Sequence, residues 1–193
     1  DLKNEKGDTY TVGVAFRSPS DRPLLRQVTG TIDWYKAKVT DPIEVQQTGL
    51  VVNSCFNVNG LNPSYNLNDT GGFCSLIERD PATGSIVRVY TRWGNQGELL
   101  IKGVDIGLRW SASMADLGVS KLPGSLSINT NMNVLLSQRQ RYGADKIDDY
   151  AGYNGASKFR AVTNFTYSWS RHRVSLSWNY RDGTDVPTGF AVT

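Results

Sequence analysis

From Ser125 the chain reads SLSINTNMNVLLS, and its side chains change character with a period of two. A β-strand sends successive side chains to opposite sides, so Leu126, Ile128, Met132 and Val134 share one face with Thr130 among them. Ser127, Asn129, Asn131 and Asn133 take the other. Soluble sheets usually turn long charged side chains to water, whereas this polar face is built of amides. The pattern admits a strand whose apolar face meets lipid and whose amide face lines a polar interior.

Five other segments share the alternation. TYTVGVAFR groups Tyr10, Val12, Val14 and Phe16, and VTGTIDWYKAKV groups Val28, Ile32 and Trp34 with Asp33 opposite. KGVDIGLRWSASM sets Val104, Ile106, Leu108, Trp110, Ala112 and Met114 against Asp105, Gly107, Arg109, Ser111 and Ser113. FRAVTNFTYSWS sets Phe159, Ala161, Phe165, Tyr167 and Trp169 against Arg160, Asn164, Thr166 and Ser168. RVSLSWNYR sets Val174, Leu176, Trp178 and Tyr180 against Ser175, Ser177, Asn179 and Arg181. No segment shows a helical period at useful length, since MADLGVSKL is short and runs into Pro123 and Gly124.

The connections alternate in length. SPSDRPLLRQ is compact, residues 41–97 form a long excursion, ADLGVSKLPG is short, residues 141–157 are longer and polar, and SRHR is a tight turn. Short turns at one end and long loops at the other belong to an outer-membrane barrel. Compact domains rarely carry a structureless loop as long as 41–97, so GLVVN and SIVRVYTRW are expected to pair there as a hairpin. Phe159 and Trp169 stand ten positions apart on one face. That is about 33 Å of strand, or about 25 Å of depth at a tilt of about 40°, the height of the apolar band between aromatic girdles. Tyr10, Trp34, Trp110, Trp178 and Tyr180 supply further girdle positions. Packing of the same aromatics in the core of a sandwich is the alternative.

Composition excludes some classes. The hydrophobic fraction is 39% and the mean hydropathy is -0.38, and no run approaches the roughly 18 apolar residues of a membrane helix. A barrel survives that test, because its strands are only half apolar. The net charge of +3 comes from scattered Lys and Arg, with no basic stripe for nucleic acid. DLKNEKGDTY is no signal peptide, so the chain is expected to start downstream of any targeting segment. Cys55 and Cys74 would close a loop of about 20 residues, for which chain entropy gives roughly 3 kcal/mol. The polar, turn-rich loop between them offers little core for buried thiols, so a disulfide in an oxidising compartment is expected over two unpaired thiols.

No catalytic constellation emerges, and the reading is not an enzyme. His172 sits in a tight turn, remote from any nucleophile, and with two cysteines it does not make a zinc site. The acids of DKIDDY lack the ligand spacing of a calcium loop, and ERDPATG is turn punctuation. No metal or cofactor is expected.

In order and spacing, these segments resemble a known family. GDTYTVGVAFRSP followed by GTIDWYKAKVTDPI, then GELLIKGVDIGLRW, is similar to the late barrel strands of TonB-dependent outer-membrane receptors. The stretch from CFN through NPSYN to FCSLIERDPATGSI resembles their cysteine-bearing outer loop, and AVTNFTYSWSRHRVSLSWNYR their penultimate hairpins. The resemblance implies an all-β fold: about six antiparallel strands of a transmembrane barrel of about 22. It implies the bacterial outer membrane, contacts with outer-membrane lipid, and a plug domain and TonB as partners in the full-length protein. It also implies a scarce nutrient as small-molecule ligand, such as a siderophore, cobalamin or a saccharide. Residues 1–193 contain no plug-like sequence, no TonB box and no terminal aromatic strand, so an internal barrel fragment is expected. Its first and last strands should lack partners within the chain.

On this reading Asp33, Asp105, Arg109, Asn129, Asn131, Asn133, Arg160, Asn164, Asn179 and Arg181 face the lumen. There the arginines either contact the plug or pair with Asp33 or Asp105. Arg92, Trp93, Tyr142 and Tyr153 are the outer-loop candidates for ligand contact. Two other classes stay open: a soluble carbohydrate-binding β-sandwich, and a porin-like barrel without energy coupling.

Overall fold

The structure is a computed structural model that describes residues 2–58, 60–67, 72–95, 97–142, 146–153 and 155–185, with only the backbone of 142 and 146–148. Along the chain run β1 (Lys6–Arg17), β2 (Val28–Thr40), β3 (Ile43–Val45), helix α1 (Thr48–Cys55) and a 3-10 turn (Phe73–Leu76). They are followed by β4 (Ile77–Arg79), β5 (Ile86–Val89), β6 (Trp93–Asn95), β7 (Glu98–Ser113), β8 (Ser125–Tyr142), β9 (Lys146–Asp149), β10 (Phe159–Trp169) and β11 (His172–Arg181).

The long strands form one antiparallel sheet in the order β1-β2-β7-β8-β10-β11, with β9 added to β8. Each long strand lies beside the next long strand in the chain, so their connections fall alternately at the two ends of the sheet. Among the described residues the sheet does not close, and β1 and β11 are its edges. The alternation in the sequence survives as two faces. Leu126, Ile128, Thr130, Met132 and Val134 of β8 stand opposite Tyr167, Phe165, Thr163, Ala161 and Phe159 of β10. Apolar side chains of the edge strands lie open, Val12 at 70% and Leu176 at 66%. A soluble sheet would bury such a row; lipid is its natural cover. Two hydroxyls on this face, those of Thr130 and Thr163, satisfy each other at 3.1 Å. That matters in hydrocarbon, where an unpaired polar group is costly.

Aromatic side chains gather at both ends of the β10–β11 hairpin. At its turn, Tyr167 stacks on Trp169 at 4.8 Å, His172 lies 5.2 Å from Trp169, and Tyr167 Oη donates to the Pro123 carbonyl at 2.6 Å. Ser170 takes the left-handed backbone that this two-residue turn needs, with φ 47°. At the other end Tyr180 lies 5.8 Å from Phe159 and 6.0 Å from Trp178. The rings therefore mark both ends of the hairpin, at the spacing expected for girdles.

The chain divides into two compact units. One comprises Asp1–Asp8, Ala37–Leu100 and Arg139–Asp149; the other comprises Thr9–Lys36, Ile101–Gln138 and Tyr150–Thr193. The first holds a small core of Val51, Cys55, Cys74 and Ile77, flanked by Val52, Phe73, Leu76 and Val89. The expected disulfide joins Cys55 to Cys74, with Cα atoms 4.7 Å apart. Asn62 supports it by donating Nδ2 to the Cys55 carbonyl at 2.8 Å.

The hairpin expected within residues 41–97 is overturned. GLVVN is not half of a hairpin: it lies within α1, whose Val51, Ser54 and Cys55 are buried. SIVRVYTRW divides instead between two short hairpins, β5 pairing with β4 and β6 with β3. The polar stretch 141–157 is not wholly loop, because β8 runs on to Tyr142 and β9 folds back onto it. Arg139 binds Asp149 across that pair at 3.2 Å, so Asp149 of DKIDDY serves a hairpin.

Candidate functional site

The polar face of the second unit carries the chemistry. Its centre is Asn133, whose Nδ2 donates to Asp105 Oδ1 at 2.8 Å and to Tyr35 Oη at 3.1 Å. On the far side, Arg160 Nη2 reaches Asn133 Oδ1 at 3.5 Å. These four side chains come from β2, β7, β8 and β10, so one row of polar groups crosses four adjacent strands.

Glycine makes the row possible. A Cβ on Gly103 would run into the Tyr35 ring, and one on Gly107 would lie 2.8 Å from Thr31 Oγ1. Glycines at these points let the larger β2 side chains lie flat across β7. The same register brings Asp33 level with Asp105, where it occupies the space above Gly13 of β1. Tyr35 was not among the residues expected on this face. Its signal was there: it lies two positions from Asp33, hence on the same side of β2.

Two concavities open onto this face. One, of about 520 Å³, is lined by Arg109, Asn129, Asn131, Thr29 and Thr31. The other, of about 480 Å³, is lined by Asp105, Asn133, Arg160, Asn179 and Arg181. Asn131 Nδ2 lies 3.5 Å from Asn129 Oδ1, and Asn164 stands in register between Asn129 of β8 and Ser177 of β11. By register, Asn129, Asn133, Arg160, Asn164 and Arg181 lie on one face. The expected ion pairs of Arg109, Arg160 or Arg181 with Asp33 or Asp105 do not form among the described residues; the four pairs there are Arg26–Asp116, Lys38–Glu98, Arg139–Asp149 and Arg141–Glu98. The reason is spacing. Asp105 and Arg160 are separated by β8, about 9–10 Å at two strand widths, so Asn133 bridges them instead.

The family described as "TonB dependent receptor-like, beta-barrel" matches residues 1–192. The chain belongs to this family of TonB-dependent receptor β-barrels. No curated protein and no solved structure matches it significantly. Members are transporters and receptors of the bacterial outer membrane, not enzymes, and the chain is in general terms a wall of such a receptor.

The four outer candidates are divided between the two units. Trp93 starts β6 in the first unit and is 63% exposed, with Arg92 beside it giving its carbonyl to the Gln46 amide at 2.9 Å. Tyr153 belongs to the second unit, half-buried and bridged to Asp185. The backbone of Tyr142 ends β8, and its side chain lies outside the described residues. The first unit also holds a polar chain that sequence reading missed: Arg88 Nη1 to Tyr90 Oη at 3.4 Å, and Tyr90 Oη to Glu78 Oε2 at 2.8 Å. The hydrogen bond to Tyr90, aided by the charges of Tyr90 and Glu78, raises the Arg88 pKa above its ordinary value.

Proposed function

We propose that this receptor wall serves energy-coupled uptake of a scarce nutrient such as an iron-siderophore, cobalamin or a saccharide, with a plug domain inside the closed barrel and TonB as the energy-coupling partner. The observation that carries the reading is the division of six neighbouring strands into an open apolar face and an amide face. Lipid covers the first. The second, with Asp33, Asp105, Arg109, Asn129, Asn131, Asn133, Arg160, Asn164, Asn179 and Arg181, lines the lumen and meets the plug through hydrogen bonds that can break one at a time. Amides suit that task, since each neutral bond contributes about 1 kcal/mol and leaves no buried charge when it opens. Residues 41–97 and 141–157 form the outer loops, and Arg92, Trp93, Tyr142 and Tyr153 contact the ligand there.

Uptake by cells carrying the intact receptor tests this. A panel of labelled iron-siderophores, cobalamin and oligosaccharides is offered with and without a protonophore. Accumulation of one of them that stops with the protonophore, while binding persists, is the expected result. Accumulation indifferent to the protonophore would point to a porin-like barrel and end the energy-coupled reading.

A further inference from the structure

Arg160 and Arg181 stand directly opposite each other in the register of β10 and β11, on the amide face. Directly opposed positions bring Cβ atoms to about 4.5–5.5 Å, where like charges repel. Among the described residues neither guanidinium has a carboxylate within ion-pair distance, since all four ion pairs lie elsewhere. The nearby acids are engaged. Asp105 accepts from Asn133, and Asp182 accepts from Tyr180 Oη at 3.1 Å. The polar contact of Arg160 is the 3.5 Å approach to Asn133 Oδ1, at the limit of a hydrogen bond.

The same two arginines line two concavities at once. One is the 480 Å³ hollow shared with Asp105, Asn133 and Asn179, and the other is a hollow of about 260 Å³ shared with Ser157, Asp182 and Thr184. A guanidinium offers N–H groups in a flat fork that matches a carboxylate or phosphate. We propose that Arg160 and Arg181 form an oxyanion site, binding one carboxylate or phosphate group between their forks with the Asn179 amide as a further donor. The bound charge removes the repulsion that the strand register imposes. Its source is either a free solute anion or a carboxylate of the polypeptide enclosed by the barrel; the second source rests on the lumen reading above.

The test is thermal unfolding of the intact receptor in detergent, with inorganic phosphate or citrate titrated at constant ionic strength. Wild type is compared with Arg160→Gln, Arg181→Gln and, as a control on the same hairpin, Arg173→Gln. If the anion is a free solute, phosphate or citrate raises the wild-type Tm by several degrees, and both site variants weaken that response at least tenfold. If the carboxylate is internal, added anions leave wild type unchanged, and both site variants lower Tm where Arg173→Gln does not. A response equal in wild type and site variants overturns the proposal, as does one lost equally in Arg173→Gln. So does a Tm that stays put or rises in the site variants of a receptor that ignores added anions. Failure here leaves uptake under the protonophore unaffected, so the two readings fall separately.

Discussion

A charge at Leu176 tests the sidedness of the wall most directly. Leu176 lies four residues from His172 and four from Tyr180, the aromatic ends of β11. Four residues span about 13 Å of strand, or about 10 Å of depth at a tilt of about 40°. Leu176 therefore sits near the middle of the apolar band, opposite Phe165 and 66% exposed on the described chain. An arginine at that depth in lipid costs about 2–4 kcal/mol. Ser177, one residue on, faces the other way beside Asn164, and arginine there costs within about 0.5 kcal/mol as an ordinary surface change. Leu176→Arg should thus shift the folding equilibrium by about 30- to 900-fold and Ser177→Arg by no more than about twofold, at about 1.4 kcal/mol per tenfold. Urea titration of the intact receptor in phosphatidylcholine vesicles, followed by tryptophan fluorescence, reads both. Equal costs at the two positions, or a greater one at Ser177, would refute the assignment of faces.

Other perturbations reach different parts of the chain. Replacing Cys55 and Cys74 by serine releases a cross-link of sequence separation 19, about 3 kcal/mol by chain entropy, so trypsin cleavage after Arg79 or Arg88 should quicken by about 100-fold; an unchanged rate would show that the clasp adds little. Gly103→Val drives a side chain into the Tyr35 ring and should cost about 1–3 kcal/mol, most of it recovered in a Tyr35→Ala background. Additive effects in that double-mutant cycle would mean that the ring does not lie over the glycine. In the turn after β7, hydrogen bonding to Ser113 and, after it, the Arg26 charge hold the Asp116 carboxyl below its ordinary pKa against partial desolvation. The folded form has the lower pKa, so this contribution is present above the ordinary aspartate value and is lost as the pH falls through the depressed one. Carboxyl-carbon NMR should show Asp116 titrating late, and nearer the ordinary value in Ser113→Ala.

Much of the wall was legible because strand parity is a local property. Once Leu126, Ile128, Met132 and Val134 fall on one side, the opposite side of β8 is settled without a partner strand. Parity says nothing of register, which explains the failed ion pairs: Asp105 and Arg160 share a face, but only the strand order shows β8 between them. Helix α1 escaped for a different reason. Gln47 makes no side-chain cap bond, and there is no acid in the first turn or base in the last. Nothing local starts or stops that helix; burial of Val51 and the covalent tie at Cys55 hold it. β9 escaped because KIDD has too few apolar residues to alternate, and its pairing follows from its neighbour, β8.

The arrangement of charge on the amide face is the least local feature of all. Asp33 and Asp105 sit level on β2 and β7, Arg160 and Arg181 on β10 and β11, and neutral Asn133 stands between the groups. In open water such like-charge pairs cost little. At an effective dielectric of about 20 the same repulsion is about four times that at 80. On the lumen reading proposed above, such a row calls for opposite charge from outside the described residues. Cross-strand pairing of acid with base would have been simple to achieve, by exchanging Asp105 and Asn133 in the sequence so that the carboxylate faced Arg160 directly. Among the described residues its absence leaves Arg160 and Arg181 without a carboxylate at ion-pair distance.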